Sequence, residues 1–144
     1  MQLSQPARLV TGLSLITVPT IVYGGLTVLA VVTRNAHGLP PAAELTLTET
    51  QQALFRAGHA HAGVLVILSL LLQVLLDAAT LSEPARWTAR IAAPLAAMLV
   101  SGGFFGIAFV PGLSPLLWAG SLCLSVAVLI TGVGLVRAPA APRP

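Results

Sequence analysis

Residues 62–76 read AGVLVILSLLLQVLL, an aliphatic run interrupted only by Gly63, Ser69 and Gln73. Over the whole chain of 144 residues, 56% are hydrophobic and 8% are charged, and the mean hydropathy is +0.94. Soluble domains carry roughly 25% charged residues. The composition therefore predicts an integral membrane protein, and the run is expected to lie in a helix that crosses the bilayer.

Three further apolar runs accompany this one. We predict helices at residues 9–32, 49–79, 88–110 and 116–136. At 1.5 Å per residue each is long enough to cross a hydrocarbon core of about 30 Å. Thr48 followed by Gln51 fits a capping box, which places the start of the second helix near Glu49. The predicted fold is an all-α, four-transmembrane-helix up-and-down bundle, with residues 1–137 as a single domain and residues 138–144 as a disordered tail.

All basic residues are arginines, and they stand singly at the edges of the apolar runs. A nucleic-acid surface needs a clustered basic face, so the net charge of +3 is assigned to contacts with lipid headgroups and not to nucleic acid. If both termini are cytoplasmic, five arginines lie inside and two outside, as the positive-inside rule favours. The inner set is Arg8, Arg86, Arg90, Arg137 and Arg143, and the outer set is Arg34 and Arg56. The lack of lysine, with many Ala, Pro and Leu residues, suggests a GC-rich bacterial genome and hence a bacterial inner membrane.

Polar side chains enter the second helix in residues 55–65, which read FRAGHAHAGVL. Ionisable groups in a membrane span are costly and usually face the bundle interior, so Arg56, His59 and His61 form the candidate site. At about 100° per residue the two histidines lie about 200° apart, so they cannot share one metal ion without distortion. Arg56, His59 and Gly63 share a face. The small residues among them leave room for another helix or a planar cofactor.

Two other segments could contribute to this site. In the first helix Tyr23 precedes the glycines at 24–25, which form a notch that favours helix packing over ligand binding. In the polar loop His37 lies near Glu44 and Glu49 in the sequence, and this group is a candidate extracytoplasmic metal site. A lone loop histidine is more often simply solvated.

Residues 55–65 resemble a stretch of small, uncharacterised bacterial four-helix membrane proteins, and the resemblance extends over most of the chain. More distantly, residues 56–59 and the apolar helix after them are similar to the haem-ligating helix of haem-copper oxidase and nitric oxide reductase catalytic subunits. This second similarity implies His59 as an axial ligand of haem b and Arg56 beside an anionic group. The other three predicted helices contain no histidine. A second ligand would require a homodimer or His37, and the alternative is five-coordinate iron.

Three hypotheses follow for the histidine group. The first is a structural or accessory membrane protein in which the group positions helices or a partner membrane subunit. The second is a haem- or transition-metal-binding protein, redox in character, whose site draws on Arg56, His59, His61, Tyr23 and Gly63, with His37 as a further metal ligand. The third is small-solute or proton transport by a homo-oligomer, since histidine titrates near physiological pH. An enzyme is not expected, because the sequence does not combine a nucleophile with a neighbouring base. Tyr23 and Ser101 are the candidate hydroxyl groups near the centre of the spans.

Overall fold

A computed structural model describes residues 2–33 and 46–138 of the chain. These residues form four long helices and one short 3₁₀ turn: α1 (Gln5–Val32), α2 (Glu49–Ala78), α3 (Glu83–Ile107), the 3₁₀ turn (Pro111–Leu113) and α4 (Pro115–Val136). All four helices are long and apolar enough to cross a membrane. The prediction of an all-α bundle of four membrane-spanning helices is confirmed.

Contacts at one end of the bundle establish the up-and-down order. The backbone N–H of Ser4, just before α1, donates to the Asp77 carboxylate near the end of α2 at 2.7 Å. The backbone N–H of Thr80, in the α2–α3 connection, donates to the Gly134 carbonyl near the end of α4 at 2.9 Å. The start of α1, the α2–α3 connection and the end of α4 therefore lie together, and consecutive helices run antiparallel.

Helix α3 is the centre of the bundle, because it packs against α2 on one side and α4 on the other. Its buried face is rich in small residues, namely Ala89, Ala92, Ala93, Ala96, Ala97 and Gly103. Helix α4 approaches it closely at Gly120, where a Cβ atom would lie 2.7 Å from the Val100 side chain. Helix α1 packs mainly on α2, meets α3 at few points and, within the described residues, does not contact α4. The bundle is consequently open on the α1 side.

The helix ends differ from the predicted ones where polar residues begin a helix outside the apolar run. Helix α1 begins at Gln5 and not at residue 9, because the Ser4 side chain accepts a hydrogen bond from the Ala7 N–H. Helix α3 begins at Glu83 and not at residue 88, since Ser82 and the following Glu-Pro pair suit a helix start. It also ends three residues early, at Ile107. The capping box of Thr48 and Gln51 is confirmed. The predicted tail beyond Ala138 and the loop that carries His37 lie outside the described residues.

Pro94 lies inside α3 and leaves a main-chain carbonyl without its usual partner. Proline has no N–H, so the carbonyl of Arg90, four residues earlier, loses its helical hydrogen bond. The Gln73 side-chain amide of α2 donates to that carbonyl at 3.1 Å. A side chain of one helix thus completes the main-chain hydrogen bonding of its neighbour.

Candidate functional site

The predicted Arg-His group lies in the first half of α2, toward the end of the bundle opposite to Ser4 and Asp77. Here the start of α2 meets the end of α3, and the Gln51 side chain donates to the Ala108 carbonyl at 2.9 Å. The three polar residues differ in how far they are buried. His59 is half-buried, whereas Arg56 and His61 are exposed on the outside of the bundle.

His59 packs into the glycine notch of α1. A Cβ atom added to Gly25 would lie 2.5 Å from both Cε1 and Nε2 of the His59 ring and 3.4 Å from its Nδ1. Real Cβ atoms essentially never approach another group to 2.5 Å, so the imidazole occupies the space that the missing side chain leaves. The glycine at position 25 is therefore what lets α1 and α2 approach each other with a histidine between them.

This placement bears on the fit of a haem at His59. An axial ligand must present a ring nitrogen to iron, with a planar macrocycle beside it. The Nε2 edge of the ring instead faces the backbone of α1 at Gly25. With the helices arranged in this way there is no room for iron at that nitrogen, so His59 does not fit the axial-ligand role that the resemblance implies.

His61 lies on the α3 side of α2, on the outer surface. Its Nδ1 lies 2.7 Å from the Ala57 carbonyl, and its ring centroid is 4.8 Å from that of Phe104. Because a carbonyl oxygen can only accept, this bond places a proton on Nδ1, and the neutral ring then carries its lone pair on Nε2. The two histidines point to different neighbours, as their spacing predicts.

Aromatic residues of α3 occupy the small-residue surface beside the histidines. A Cβ atom at Gly58 would lie 3.2 Å from atoms of both Phe104 and Phe105. Phe55 continues the contact, with its ring centroid 5.3 Å from that of Phe105 and 5.8 Å from that of Phe109, both in edge-to-face geometry. The space beside Gly58, which the sequence analysis left open to another helix or a planar cofactor, is therefore filled by Phe104 and Phe105 of α3.

The remaining predicted residues are not brought together with His59. Tyr23 is 70% exposed and lies on the outer face of α1, about 200° around the helix from Gly25. A Cβ atom at Gly63 would meet nothing within 4 Å. Within residues 2–33 and 46–138 no three His, Cys, Asp or Glu side chains are grouped closely enough to hold a metal ion. The candidate metal ligand His37 lies outside those residues.

A second polar group, which the sequence analysis did not identify, lies at the opposite end of the bundle. Arg90 of α3 is 1% exposed and forms an ion pair with Asp77, whose side chain is 10% exposed. The Asp77 carboxylate also accepts from the Ser4 hydroxyl at 2.8 Å, and the Arg90 guanidinium donates to the Gln73 side-chain oxygen at 3.2 Å. This network, Ser4–Gln73–Asp77–Arg90, joins α1, α2 and α3. The sequence feature that could have indicated this network is the placement of Asp77 and Arg90 on either side of the short α2–α3 connection.

The fold and these two polar groups define a multi-pass, all-α membrane protein with one half-buried and one exposed histidine on its second helix. Comparisons of the chain with protein-family models, with curated proteins and with solved structures find no match. The residues and their geometry are therefore the basis for assigning a function.

Proposed function

We propose that this chain is a small structural or accessory protein of a bacterial inner membrane, in which His59 serves helix packing and the outer surface of α2 contacts a partner membrane subunit. The observation that supports the proposal is that the three residues of the histidine group lie in different environments. One imidazole fills the Gly25 notch, while Arg56 and His61 remain on the outside of an otherwise apolar helix.

The outer surface of α2 is suited to a second helix. Its exposed positions recur at helical spacing, as Ala53, Ala60, Val64, Ile67 and Leu71. At about 100° per residue, Arg56 borders one side of this stripe and His61 the other. Small residues let membrane helices approach closely, and polar side chains in a bilayer favour hydrogen-bond partners. A partner helix seated on Ala53 and Ala60 would reach both polar groups, and a carboxylate on it would pair with Arg56.

The arginines within the described residues indicate how the bundle is oriented in the membrane. Arg8, Arg86, Arg90 and Arg137 belong to the end that holds the Ser4–Gln73–Asp77–Arg90 network, and Arg56 belongs to the other end. Under the positive-inside rule, the proposal puts the network end, with the start of α1 and the end of α4, on the cytoplasmic side. The partner surface at Ala53 and Ala60 would lie toward the extracytoplasmic side.

Crosslinking tests this proposal directly. A photo-crosslinking amino acid at position 60 should give one adduct of defined mass in native membranes, and mass spectrometry would identify the second chain. The same amino acid at position 129, an exposed site on α4, is the matched control and should give none. Arg56→Gln should weaken the adduct. Adducts at positions 60 and 129 alike, or none at position 60, would contradict a specific partner surface.

Spectroscopy separates this function from the haem or metal alternative. The detergent-purified protein should be colourless in both oxidised and dithionite-reduced spectra and free of transition metal. His59→Ala should lower its thermal stability, and His61→Ala should change it little. A Soret band from a haem-replete host would overturn the proposal. The variant that bleaches the band would then identify the ligand, and His61 is the better placed because its side chain is exposed and its Nδ1 bonds to a backbone carbonyl.

A further inference from the structure

A cleft lies on the surface of the bundle between α1 and α3, two helices that begin at the same end and meet at few points. It contains two hollows, and both helices contribute to the wall of each. The outer hollow lies beside the first turns of the helices, and the inner hollow lies deeper in the membrane-spanning part. Large apolar side chains line the two hollows and stay exposed, namely Leu9, Leu13, Trp87 and Met98. In a membrane this cleft therefore faces lipid directly.

The outer hollow has a volume of about 770 Å³ and presents hydrogen-bond donors. It is lined by Gln5, Pro6, Arg8, Leu9 and Trp87. The Gln5 amide, the Arg8 guanidinium and the Trp87 indole each carry N–H groups, and none of the lining residues is acidic. Arg8 is exposed and has no ion-pair partner among the described residues. An anion in this hollow therefore meets N–H donors and one uncompensated positive charge.

An adjoining hollow, which shares Trp87 with the outer one, is electrically balanced. Its two arginines both have acidic partners, since Arg90 pairs with Asp77 and Arg86 pairs with Glu83. The net positive charge beside Trp87 therefore belongs to the outer hollow and comes from its arginine.

The inner hollow lies at the depth of an acyl chain. Its volume is about 400 Å³, and apolar groups form most of its surface. Along α1 it extends from Leu13 to Ile21, which is about 8 to 20 Å from Arg8 at 1.5 Å per residue. One leaflet contributes about half of a hydrocarbon core of roughly 30 Å. A lipid whose phosphate lies at Arg8 therefore has its acyl chains at the level of this hollow.

We propose that the cleft binds one anionic phospholipid, with its phosphate at Arg8 beside Trp87 and one acyl chain in the inner hollow. Basic pockets at the membrane surface bind such head groups, and tryptophan is enriched at head-group level. A soluble anion would occupy the outer hollow alone, and a free hydrocarbon the inner hollow alone, whereas a phospholipid fills both. One arginine near the surface favours an anionic lipid by about fivefold. The proposal does not depend on the partner surface of α2.

Tryptophan quenching measures the head-group preference, because the chain has only two tryptophans, Trp87 and Trp118. Trp118 is exposed in the first turn of α4, at the other end of the bundle, and serves as the control. Full-length Trp118→Phe and Trp87→Phe variants would be placed in vesicles that mix phosphatidylglycerol with phosphatidylcholine. One of the two lipids carries bromine on its acyl chains close to the glycerol, and bromine quenches a nearby indole. Trp87 should favour phosphatidylglycerol about fivefold, and Trp118 should show no such preference.

Arginine variants connect the preference to the cleft. Arg8→Gln should reduce the fivefold preference at Trp87 to about equal affinity for the two lipids. The change should leave the fold intact, because this side chain is exposed. Arg137→Gln is the matched control, since Arg137 is also exposed at this end of the bundle but follows α4 and lines neither hollow. It should leave the preference unchanged.

Met98 reports on the acyl chain, because it lines the inner hollow and is exposed at its edge. The chain has only two methionines, so ¹³C labels on their methyl groups give a resonance for Met98 that is easily assigned. Phosphatidylglycerol with a spin label on an acyl chain should broaden this resonance more than phosphatidylcholine with the same label. Arg8→Gln should make the two effects equal.

Four results would overturn the assignment. A preference at Trp87 that survives Arg8→Gln, or that falls equally in Arg137→Gln, would reflect the diffuse charge of this end of the bundle. Its loss on addition of inorganic phosphate, but not of chloride at the same ionic strength, would assign Arg8 to a soluble anion. Equal broadening of the Met98 resonance by both lipids in the wild type would show that the inner hollow does not hold the acyl chain of the bound lipid. Failure of both brominated lipids to quench Trp87, with a dimer in sedimentation, would assign the cleft to a second copy of the chain.

Discussion

Replacement of Arg90 by methionine should destabilise the bundle more than any surface substitution. The guanidinium is 1% exposed, and its partner Asp77 has a side chain that is 10% exposed. Removing one member of a buried ion pair costs about 3–5 kcal/mol, because the other charge is left buried without compensation. Asp77 lies close to the end of α2, where water is near, so we expect about 3 kcal/mol for Arg90→Met.

The double variant Arg90→Met/Asp77→Leu distinguishes a charge effect from a packing effect. Replacing both members of a buried pair by apolar residues is often neutral. Ser4 then loses an acceptor, but it is exposed and can bond to water. The buried Gln73 side-chain oxygen also loses its Arg90 donor, at a cost of roughly 1–3 kcal/mol. The double variant should therefore be more stable than Arg90→Met but below the wild type by about that amount, while Asp77→Leu alone should resemble Arg90→Met.

The assay is SDS-induced unfolding in mixed micelles, followed by far-UV circular dichroism and by tryptophan fluorescence. Trp87, less than one turn from Arg90, reports on this end of α3. A free-energy change below about 1 kcal/mol for Arg90→Met would be typical of a solvated surface pair and would refute the reasoning. A double variant as unstable as the single ones would refute it as well.

Three other predictions use the same unfolding assay. Gly25→Leu should destabilise the protein by separating α1 from α2, and His59→Ala in the same chain should recover much of the loss; equal losses with and without His59 would argue against the notch. Gly120→Ala should be destabilising because its Cβ would lie 2.9 Å from a backbone nitrogen of α3, whereas Gly132→Ala, where no atom lies within 4 Å, should stabilise by up to about 1 kcal/mol. Thr48→Ala should cost about 1 kcal/mol by removing the cap of α2, and an unchanged midpoint would contradict that role.

The helices could be predicted because they depend on local features of the sequence. An apolar run long enough for the bilayer identifies a span, and the Thr48–Gln51 box identifies the first residue of α2. The prediction placed the start of α3 at residue 88 because Ser82 and Glu83 are polar and lie outside the apolar run, whereas the helix begins at Glu83, with Ser82 at the N-cap position and Pro84 in the first turn. The extent of an apolar run and the first residue of a helix are thus separate signals.

The candidate site was only partly predictable, because it depends on the register between helices. The sequence indicates that His59 and His61 face different neighbours, but it does not indicate that Gly25 lies opposite His59. Arg90 was assigned to the lipid interface, since single arginines near the end of a span usually lie there. Its burial arises from Asp77 and Gln73, which α2 places opposite it. Such pairing appears only once two helices are packed.

The hydrogen bond from Gln73 to the carbonyl that Pro94 leaves open has a consequence for how the bundle assembles. Two smooth membrane helices can slide past each other by a residue or rotate at little cost. In the α2–α3 hairpin, a shift of one residue would leave the Arg90 carbonyl without a partner inside the bundle, at a cost of roughly 1–3 kcal/mol. The hydrogen bond therefore favours one alignment of this hairpin, and α1 and α4 pack against the aligned pair.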